Sequence, residues 1–208
     1  MKKNDCLPGL GPLLSVLAHD LNNVLGGVAG ALSLIEFEKE DSPHLHNQAY
    51  DSYLNIISDS SSRASGIVQQ LLIFTRQSAD KLEDIPLAAS IERIVAVCGA
   101  SFGPGLTIHA APVPSEARIL GNCIQFEKLL LSLLVRGCQS RQTDEEISVA
   151  VEPGRAPSGL HYWRLRIQGP AFDSTEVGEL TSWYDPELSL SVSAPGKVEI
   201  RFPAAEDT

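Results

Sequence analysis

One short polar stretch of the sequence contains the residues that could do chemistry. His19, Asp20, Asn22 and Asn23 stand within five positions of one another, inside the apolar segment Leu13–Ile35. Imidazole has a pKa of about 6.5, so it is largely neutral near pH 7 and can act as a nucleophile through one ring nitrogen. An adjacent acid can accept a hydrogen bond from the other ring N–H, which fixes the tautomer and makes the nucleophile more basic. The stretch therefore predicts a nucleophilic His19 that is oriented by Asp20.

The apolar residues around this stretch have the spacing of an amphipathic helix. They recur every three or four positions, as in a heptad seam: Leu14, Ala18, Leu21, Leu25, Val28, Leu32 and Ile35. His19 falls beside this seam, and Asn23 shares its exposed face because residues four apart are neighbours on a helix. Glycine in a helix interior costs roughly 1 kcal/mol relative to alanine. Gly26, Gly27 and Gly30 therefore indicate either that a partner helix approaches closely below the histidine or that the helix packs tightly inside a bundle.

A second long amphipathic segment follows the first. We expect helices over residues 13–39 and 48–77, with a short polar connection that contains Pro43. Two such helices joined by a tight loop form an antiparallel hairpin. Because one hairpin cannot cover both apolar stripes, the sequence predicts that two copies pair into a homodimeric four-helix bundle.

The second half of the chain alternates between strand-like and helix-like patterns. The expected helices are 86–97 and 124–140, and the expected strands are 106–110, 118–121, 146–151, 161–167 and 197–202. This order predicts an α+β domain with one sheet that is covered on one face. The predicted organisation is a leader at residues 1–12, a helical hairpin at 13–80 and an α+β domain at 81–208.

Composition limits the partners of the chain. The 208 residues include 16 basic and 26 acidic side chains, for a net charge of −10. This balance argues against binding to nucleic acid or to an anionic membrane. No stretch reaches the roughly 20 apolar residues of a membrane span. The four cysteines are widely scattered, which argues against a metal site or a disulfide framework and favours reduced thiols in a cytoplasmic protein.

The polar stretch and the second helix together resemble a known family. The segment His19-Asp20-Leu21-Asn22-Asn23-Val24-Leu25 resembles the H-box of bacterial sensor histidine kinases, and residues 63–76 resemble the second helix of their dimerisation domain. The resemblance extends over nearly the whole chain. It implies a dimeric phospho-accepting bundle followed by a domain that resembles the histidine kinase ATP-binding sandwich of the Bergerat type.

The second half departs from the family at the expected nucleotide site. Residues 126–136 are similar to the N-box helix, but Ser132 and Arg136 stand where the family carries asparagines. The second asparagine normally helps to hold Mg²⁺, and a guanidinium cannot ligate a cation. A single positive charge about 4 Å from Mg²⁺ costs up to ~8 kcal/mol at an effective dielectric constant of about 20.

Two further family features are missing from the sequence. Around Gly169, residues 167–173 lack the acid and the paired glycines of the Asp-x-Gly-x-Gly turn that reads adenine. Residues 183–197 contain neither a glycine-rich lid nor a long helix. These differences predict that the domain does not bind ATP productively and that the protein is not an autokinase.

An H-box without an ATP site resembles the dimeric histidine phosphotransferases of bacterial phosphorelays. The resemblance implies that His19 accepts a phosphoryl group from the aspartate of a receiver domain and passes it to another response regulator. The receiver would supply Mg²⁺, so no cofactor or metal of its own is expected. Asn23 could hydrogen-bond the phosphoryl group or orient a hydrolytic water. Asn22 and the three glycines of the same helix, Gly26, Gly27 and Gly30, are expected to contact the receiver.

Three alternatives stay open at the level of the sequence. The chain could be a response-regulator phosphatase or pseudokinase regulator, which would use Asn23 and the dimer surface without a stable phosphohistidine. It could be a dimeric scaffold without chemistry, which would tolerate the loss of His19. It could also be a working kinase with an unusual ATP site. Arg63 and Arg76 on the second helix could in addition face an acidic receiver surface.

Overall fold

Two long antiparallel helices form the first part of the structure. The computed structural model describes residues 10–41, 47–77, 81–102, 107–140, 146–169, 174–184, 189–192 and 196–205. Helix α1 (Leu10–Asp41) and helix α2 (Asn47–Thr75) pack against each other as the predicted hairpin. Helix α1 begins three residues before the expected start, so the last residues of the predicted leader 1–12 are helical. Residues 1–9 of that leader lie outside the described residues.

The buried stripe of α1 is shifted from the predicted seam. Three residues at a spacing of seven are buried in the hairpin: Leu17, Val24 and Ala31. Of the seam expected from the sequence, Leu14, Leu21, Val28 and Ile35 are half-buried beside this stripe, whereas Ala18, Leu25 and Leu32 are exposed. Among the described residues, α1 packs chiefly against α2, so one of its two apolar rows is covered and the adjacent row faces outward. The sequence pattern contained both rows and could not separate them.

The remaining elements build the second domain. In chain order they are β1 (Glu83–Pro86), α3 (Leu87–Phe102), β2 (Ile108–Ala110), β3 (Arg118–Gly121), α4 (Cys123–Ser140), β4 (Ile147–Arg155), β5 (His161–Gln168), α5 (Ser174–Tyr184), β6 (Ser189–Val192) and β7 (Lys197–Pro203). Strands β1 and β3 pair as a small antiparallel sheet. The larger, five-stranded sheet has the order β2-β4-β5-β7-β6. Only β2 and β4 are parallel in it, so the sheet is mixed.

The expectation of a helical hairpin followed by an α+β domain is confirmed. Three elements were not predicted: β1, α5 and β6. Strands β1 and β6 are only four residues long, and in β1 only Ile85 is buried. Such short segments carry too little alternation to be recognised in a sequence.

One face of the large sheet is covered, as the sequence predicts. Alternate residues of β4 and β5 are buried, and helix α4 contributes an almost continuous buried run from Phe126 to Val135. Phe126, Tyr184 and Phe202 join α4, α5 and β7 through edge-to-face ring contacts, with centroids 5.6 Å apart for Phe126 and Phe202. This packing gives the second domain its own hydrophobic core.

The hairpin contacts the second domain along the C-terminal half of α2. Gly66 lies so close to α3 that a Cβ atom there would be 2.6 Å from the backbone nitrogen of Ser101. One turn further on, the buried Gln70 donates a hydrogen bond from Nε2 to Ser101 Oγ at 2.8 Å. Close backbone approach and a buried hydrogen bond therefore join α2 to α3.

Candidate functional site

His19 lies in the first half of α1 on its solvent-facing side. Its side chain is 73% exposed, whereas the Asp20 side chain is 33% exposed. The neighbouring Leu17 and Val24 are buried against α2, which fixes the rotation of the helix and turns the histidine away from the hairpin interior. The packing of α1 thus presents the imidazole to any protein that approaches from outside.

Two side chains contact the same ring nitrogen of this histidine. Asp20 Oδ1 lies 3.5 Å from Nδ1 of His19, and Asn23 Nδ2 lies 3.2 Å from the same atom. If Nδ1 carries the proton, it donates to the carboxylate, and if it does not, it accepts from the amide. The two neighbours therefore favour opposite tautomers. In the part of the chain that the structure describes, no hydrogen bond reaches Nε2, so the tautomer held by Asp20 has its lone pair on an accessible nitrogen.

The exposed face of α1 that carries His19 is open on the C-terminal side of the histidine. Asn22, Gly26 and Gly30 are exposed, and Cβ atoms added at the two glycines would meet no atom within 4 Å. Gly27 differs, because its Cβ would lie 3.4 Å from Oγ of Ser60 on α2. Gly27 therefore faces α2, but it is exposed and a side chain there would make only an ordinary contact, so tight packing does not require a glycine at this position. Gly26 and Gly30 leave the backbone of α1 uncovered about two and three turns after His19, on the same exposed face.

The register of the hairpin places the second domain at the height of His19. Gly27 lies opposite Ser60, and His19 is eight residues before Gly27. In an antiparallel pair, the residue opposite His19 is therefore close to Val68, about 12 Å along the helices at 1.5 Å per residue. Val68 stands between Gly66 and Gln70, the α2 residues that contact α3.

The residues predicted for a degenerate nucleotide site lie on α4 and at the end of β5. Ser132 is buried, and its hydroxyl donates to the backbone oxygen of Lys128 at 2.7 Å. Arg136 follows one turn later on the same face of α4 and is half-buried. Gly169 donates its N–H to the backbone oxygen of Gly196 at 2.8 Å. The segments expected to differ from the nucleotide loops are 167–173 and 183–197, and parts of them, residues 170–173, 185–188 and 193–195, lie outside the described residues.

The described residues contain neither a metal-binding cluster nor a membrane-spanning helix. Among them, no group of three or more histidine, cysteine, aspartate or glutamate residues is arranged to hold a metal ion. None of the described helices has the length and hydrophobicity to cross a membrane. Cys98, Cys123 and Cys138 are thiols. Burial, with a smaller contribution from Cys138, raises the pKa of the Cys98 thiol well above its ordinary value.

The structure assigns contacts to three charged residues that the sequence did not connect. Arg63 donates from Nε to the backbone oxygen of Ser101 at 3.3 Å, and Arg76 Nη1 lies 3.2 Å from Oε2 of Glu127. Both arginines of α2 and the turn after it thus contact the second domain. Glu127 was not singled out in the sequence, although an acid inside the apolar run of α4 is an unusual residue type for a buried position.

Comparison with known proteins supports the interpretation of the hairpin. Residues 10–80 match the family model of the His Kinase A (phospho-acceptor) domain. Over 146 residues the chain is 25% identical to the sensory histidine kinase/phosphatase NtrB of Rhizobium meliloti (strain 1021). That alignment covers 68% of this chain and 36% of NtrB, so the chain spans about a third of the length of this relative. These matches confirm the resemblance to sensor histidine kinases.

Solved structures of histidine kinases are also similar to the chain. The histidine kinase AdeS of Acinetobacter baumannii is 13% identical, and the alignment covers 90% of this chain and 98% of that one with a TM-score of 0.44. The catalytic domain of histidine kinase ThkA is 8% identical, with coverages of 60% and 97% and a TM-score of 0.47.

Proposed function

We propose that this sensor histidine kinase-like protein, whose residues 10–80 match a phospho-acceptor domain, acts as a histidine phosphotransferase between receiver domains. His19 accepts a phosphoryl group from the aspartyl phosphate of one receiver and passes it to the aspartate of another. One observation carries the proposal. The ring of His19 is exposed, has both polar neighbours on Nδ1, and stands above a surface formed by Gly26 and Gly30.

We place the attack at Nε2, in the tautomer that Asp20 favours. With the proton on Nδ1 and Asp20 accepting its hydrogen bond, the Nε2 lone pair forms a bond to phosphorus. The bond between phosphorus and the carboxylate oxygen of the receiver breaks, and the carboxylate leaves with the electron pair. The proton stays on Nδ1, where the carboxylate of Asp20 stabilises the cationic ring. Transfer to the second receiver is the reverse sequence, so no proton has to leave the site.

A phosphoryl source other than ATP fits the sequence of α4. Arg136 carries a fixed positive charge at the position where the family holds Mg²⁺, and Ser132 donates its proton to the helix backbone. The proposal therefore includes no ATP binding and no cofactor of the protein itself, with Mg²⁺ bound by the receiver. The thiols of Cys98, Cys123 and Cys138 are in keeping with a cytoplasmic location.

We also propose that the hairpin pairs with a second copy. Large apolar side chains are exposed on both helices: Leu25 and Leu32 on α1, and Leu54, Ile56, Val68 and Leu72 on α2. An apolar surface of this kind, distributed over both helices of a hairpin, is typical of one half of a four-helix bundle. Removing it from water would supply the association free energy of the homodimer.

A response-regulator phosphatase is the second candidate. It is favoured by Asn23, whose amide lies 3.2 Å from His19 Nδ1 and could hold a water against an aspartyl phosphate instead. NtrB, the relative that is 25% identical, is itself named as a kinase/phosphatase. In this mechanism the receiver loses its phosphate to water, and no phosphohistidine accumulates.

Incubation with a labelled receiver tests the proposal. A receiver domain would be phosphorylated with radiolabelled acetyl phosphate in Mg²⁺, purified and mixed with the protein. We expect label on the wild-type chain and none on His19→Ala, with no labelling from radiolabelled ATP. Release of inorganic phosphate without labelled protein would favour the phosphatase. If the receiver keeps its label, the remaining interpretation is a scaffold without chemistry. If ATP alone labels the protein, it is a kinase.

A further inference from the structure

An ionic cluster around a buried glutamate joins the end of α2 to the second domain. Its members are Arg76, Arg93, Glu127 and Lys128, which we call the junction cluster. The Glu127 side chain is 1% exposed and contacts Nη1 of Arg76 at 3.2 Å and Nη2 of Arg93. Lys128 donates from Nζ to the backbone oxygen of Arg76 at 2.6 Å. Two consecutive residues of α4 thus bind the same residue at the end of the hairpin.

The charges of the cluster come from both parts of the molecule. Arg76 follows the last residue of α2, whereas Arg93 lies on α3 inside the second domain. A buried carboxylate is costly unless cations pair with it, so Glu127 needs these arginines. The Lys128 ammonium also stabilises the C-terminal end of α2, where the helix dipole favours a positive charge. The cluster is therefore both an ion pair and a helix cap.

A second set of contacts lies nearer the N-terminus of α2. Arg63 and Gln70 donate hydrogen bonds to the backbone oxygen and the hydroxyl of Ser101, and Gly66 allows α3 to approach between them. From Arg63 to Arg76 the contacts extend over about 20 Å of α2. Contacts at two separated points fix the direction of the second domain relative to α2, whereas a single point would leave a hinge.

We infer that the pair of Arg76 and Glu127 is a positioning contact that holds the second domain fixed against α2 at the level of His19 along the hairpin, so that a receiver meets both as one surface. This inference rests on the proposed phosphotransfer function. A small phosphoryl donor needs only the exposed imidazole. A protein donor must also find the second domain in the correct place, because displacing reacting groups by about 1 Å can cost on the order of 100-fold in rate.

Two arginine variants separate positioning from stability. Arg76→Ala and Arg93→Ala each remove one guanidinium from Glu127, and the two side chains are similarly exposed, at 47% and 44%. Only Arg76→Ala breaks a contact between the hairpin and the second domain. Each variant would be given phosphoramidate, a small donor that labels histidine, and separately a receiver domain phosphorylated with acetyl phosphate.

We expect Arg76→Ala to slow labelling from the receiver by about tenfold or more, with labelling from phosphoramidate within about twofold of wild type. Arg93→Ala should stay within about threefold in both assays. Lys128→Met should lower labelling from the receiver in the same way as Arg76→Ala, and Arg76→Lys should restore part of it. Hydrogen exchange in the last turn of α2 should be faster in Arg76→Ala than in Arg93→Ala.

Two results would overturn the inference. Equal loss of receiver labelling in the two arginine variants would mean that the cluster only stabilises the second domain. Unchanged receiver labelling in Arg76→Ala, with faster hydrogen exchange, would mean that the position of the domain does not matter. Failure of the proposed function is recognised separately, because the wild-type chain would then accept label from phosphoramidate and none from any receiver.

Discussion

Substitutions at Gly26, on the exposed face of α1 that carries His19, should change the stability of the protein and its binding of a receiver in opposite directions. Gly26 lies in the interior of the 32-residue helix α1, and an added Cβ atom meets no atom within 4 Å. Gly26→Ala therefore gains the full difference in helix propensity, about 0.8–1.0 kcal/mol in free energy of unfolding. For a chain of this size, that corresponds to a rise in Tm of about 2–4 °C.

A larger side chain at the same position tests whether a receiver uses this face. Gly26→Gln keeps most of the gain in helix propensity, because glutamine is a good helix former and its amide stays in water. Gly26 is seven residues after His19, about 10 Å along the helix, so phosphoramidate should still label the histidine at a rate within about twofold of wild type. We expect labelling from a phosphorylated receiver to fall by about tenfold or more, because the new side chain lies where the partner must approach.

The control for both variants is Gly178→Ala in α5. An added Cβ there also meets no atom within 4 Å, so this substitution should raise the thermal stability without changing receiver labelling. Thermal unfolding followed by circular dichroism and the two labelling assays measure these effects. Receiver labelling at the wild-type rate in Gly26→Gln would refute the assignment of this face to the receiver. A fall in Tm for Gly26→Ala would refute the open environment of the glycine.

Three further predictions concern other parts of the structure. Gly66→Ala should lower the free energy of unfolding by about 1–3 kcal/mol in urea titrations, because its Cβ would lie 2.6 Å from the backbone of Ser101; a neutral effect would contradict the close packing of α2 on α3. Asn23→Ala should leave phosphoramidate labelling of His19 intact while abolishing any release of inorganic phosphate from a receiver, and persistent release would exclude Asn23 from hydrolysis. Because burial raises the pKa of the Cys98 thiol well above its ordinary value, the unfolded thiol loses its proton at lower pH than the folded one, so the free energy of unfolding should fall as pH rises above the ordinary thiol pKa of about 8.5. Urea midpoints between about pH 8 and 10 should show a shallower decline in Cys98→Ala, and equal slopes would contradict the raised pKa.

The candidate site could be predicted from the sequence more completely than the fold. His19, Asp20 and Asn23 lie within one helical turn, so a correct helix assignment was enough to bring them together. The same local rule failed for the buried stripe of α1, because two apolar rows are adjacent and only the packing partner decides which is covered. Leu17 is buried and Ala18 is exposed because of how α1 packs, and the spacing of apolar residues in the sequence does not reveal this packing.

Contacts distant in sequence were beyond prediction for a different reason. Arg76 and Glu127 are 51 positions apart, and nothing in either segment indicates that the two side chains meet. The short strands β1 and β6 likewise depend on partners elsewhere in the chain, β3 and β7. Their residues have little strand character alone, so pairing rather than local preference determines their structure. The packing of α2 on α3 therefore could not be predicted from the sequence.

The most direct test of the central claim follows a phosphoryl group out of His19. The protein would be labelled with radioactive phosphoramidate, freed of donor and mixed with an unphosphorylated receiver domain in Mg²⁺. We predict that the label leaves the protein and appears on the receiver as an aspartyl phosphate, and that His19→Ala has no label to give. Label that is released only as inorganic phosphate, or that stays on the protein with every receiver tested, would contradict phosphotransfer through His19.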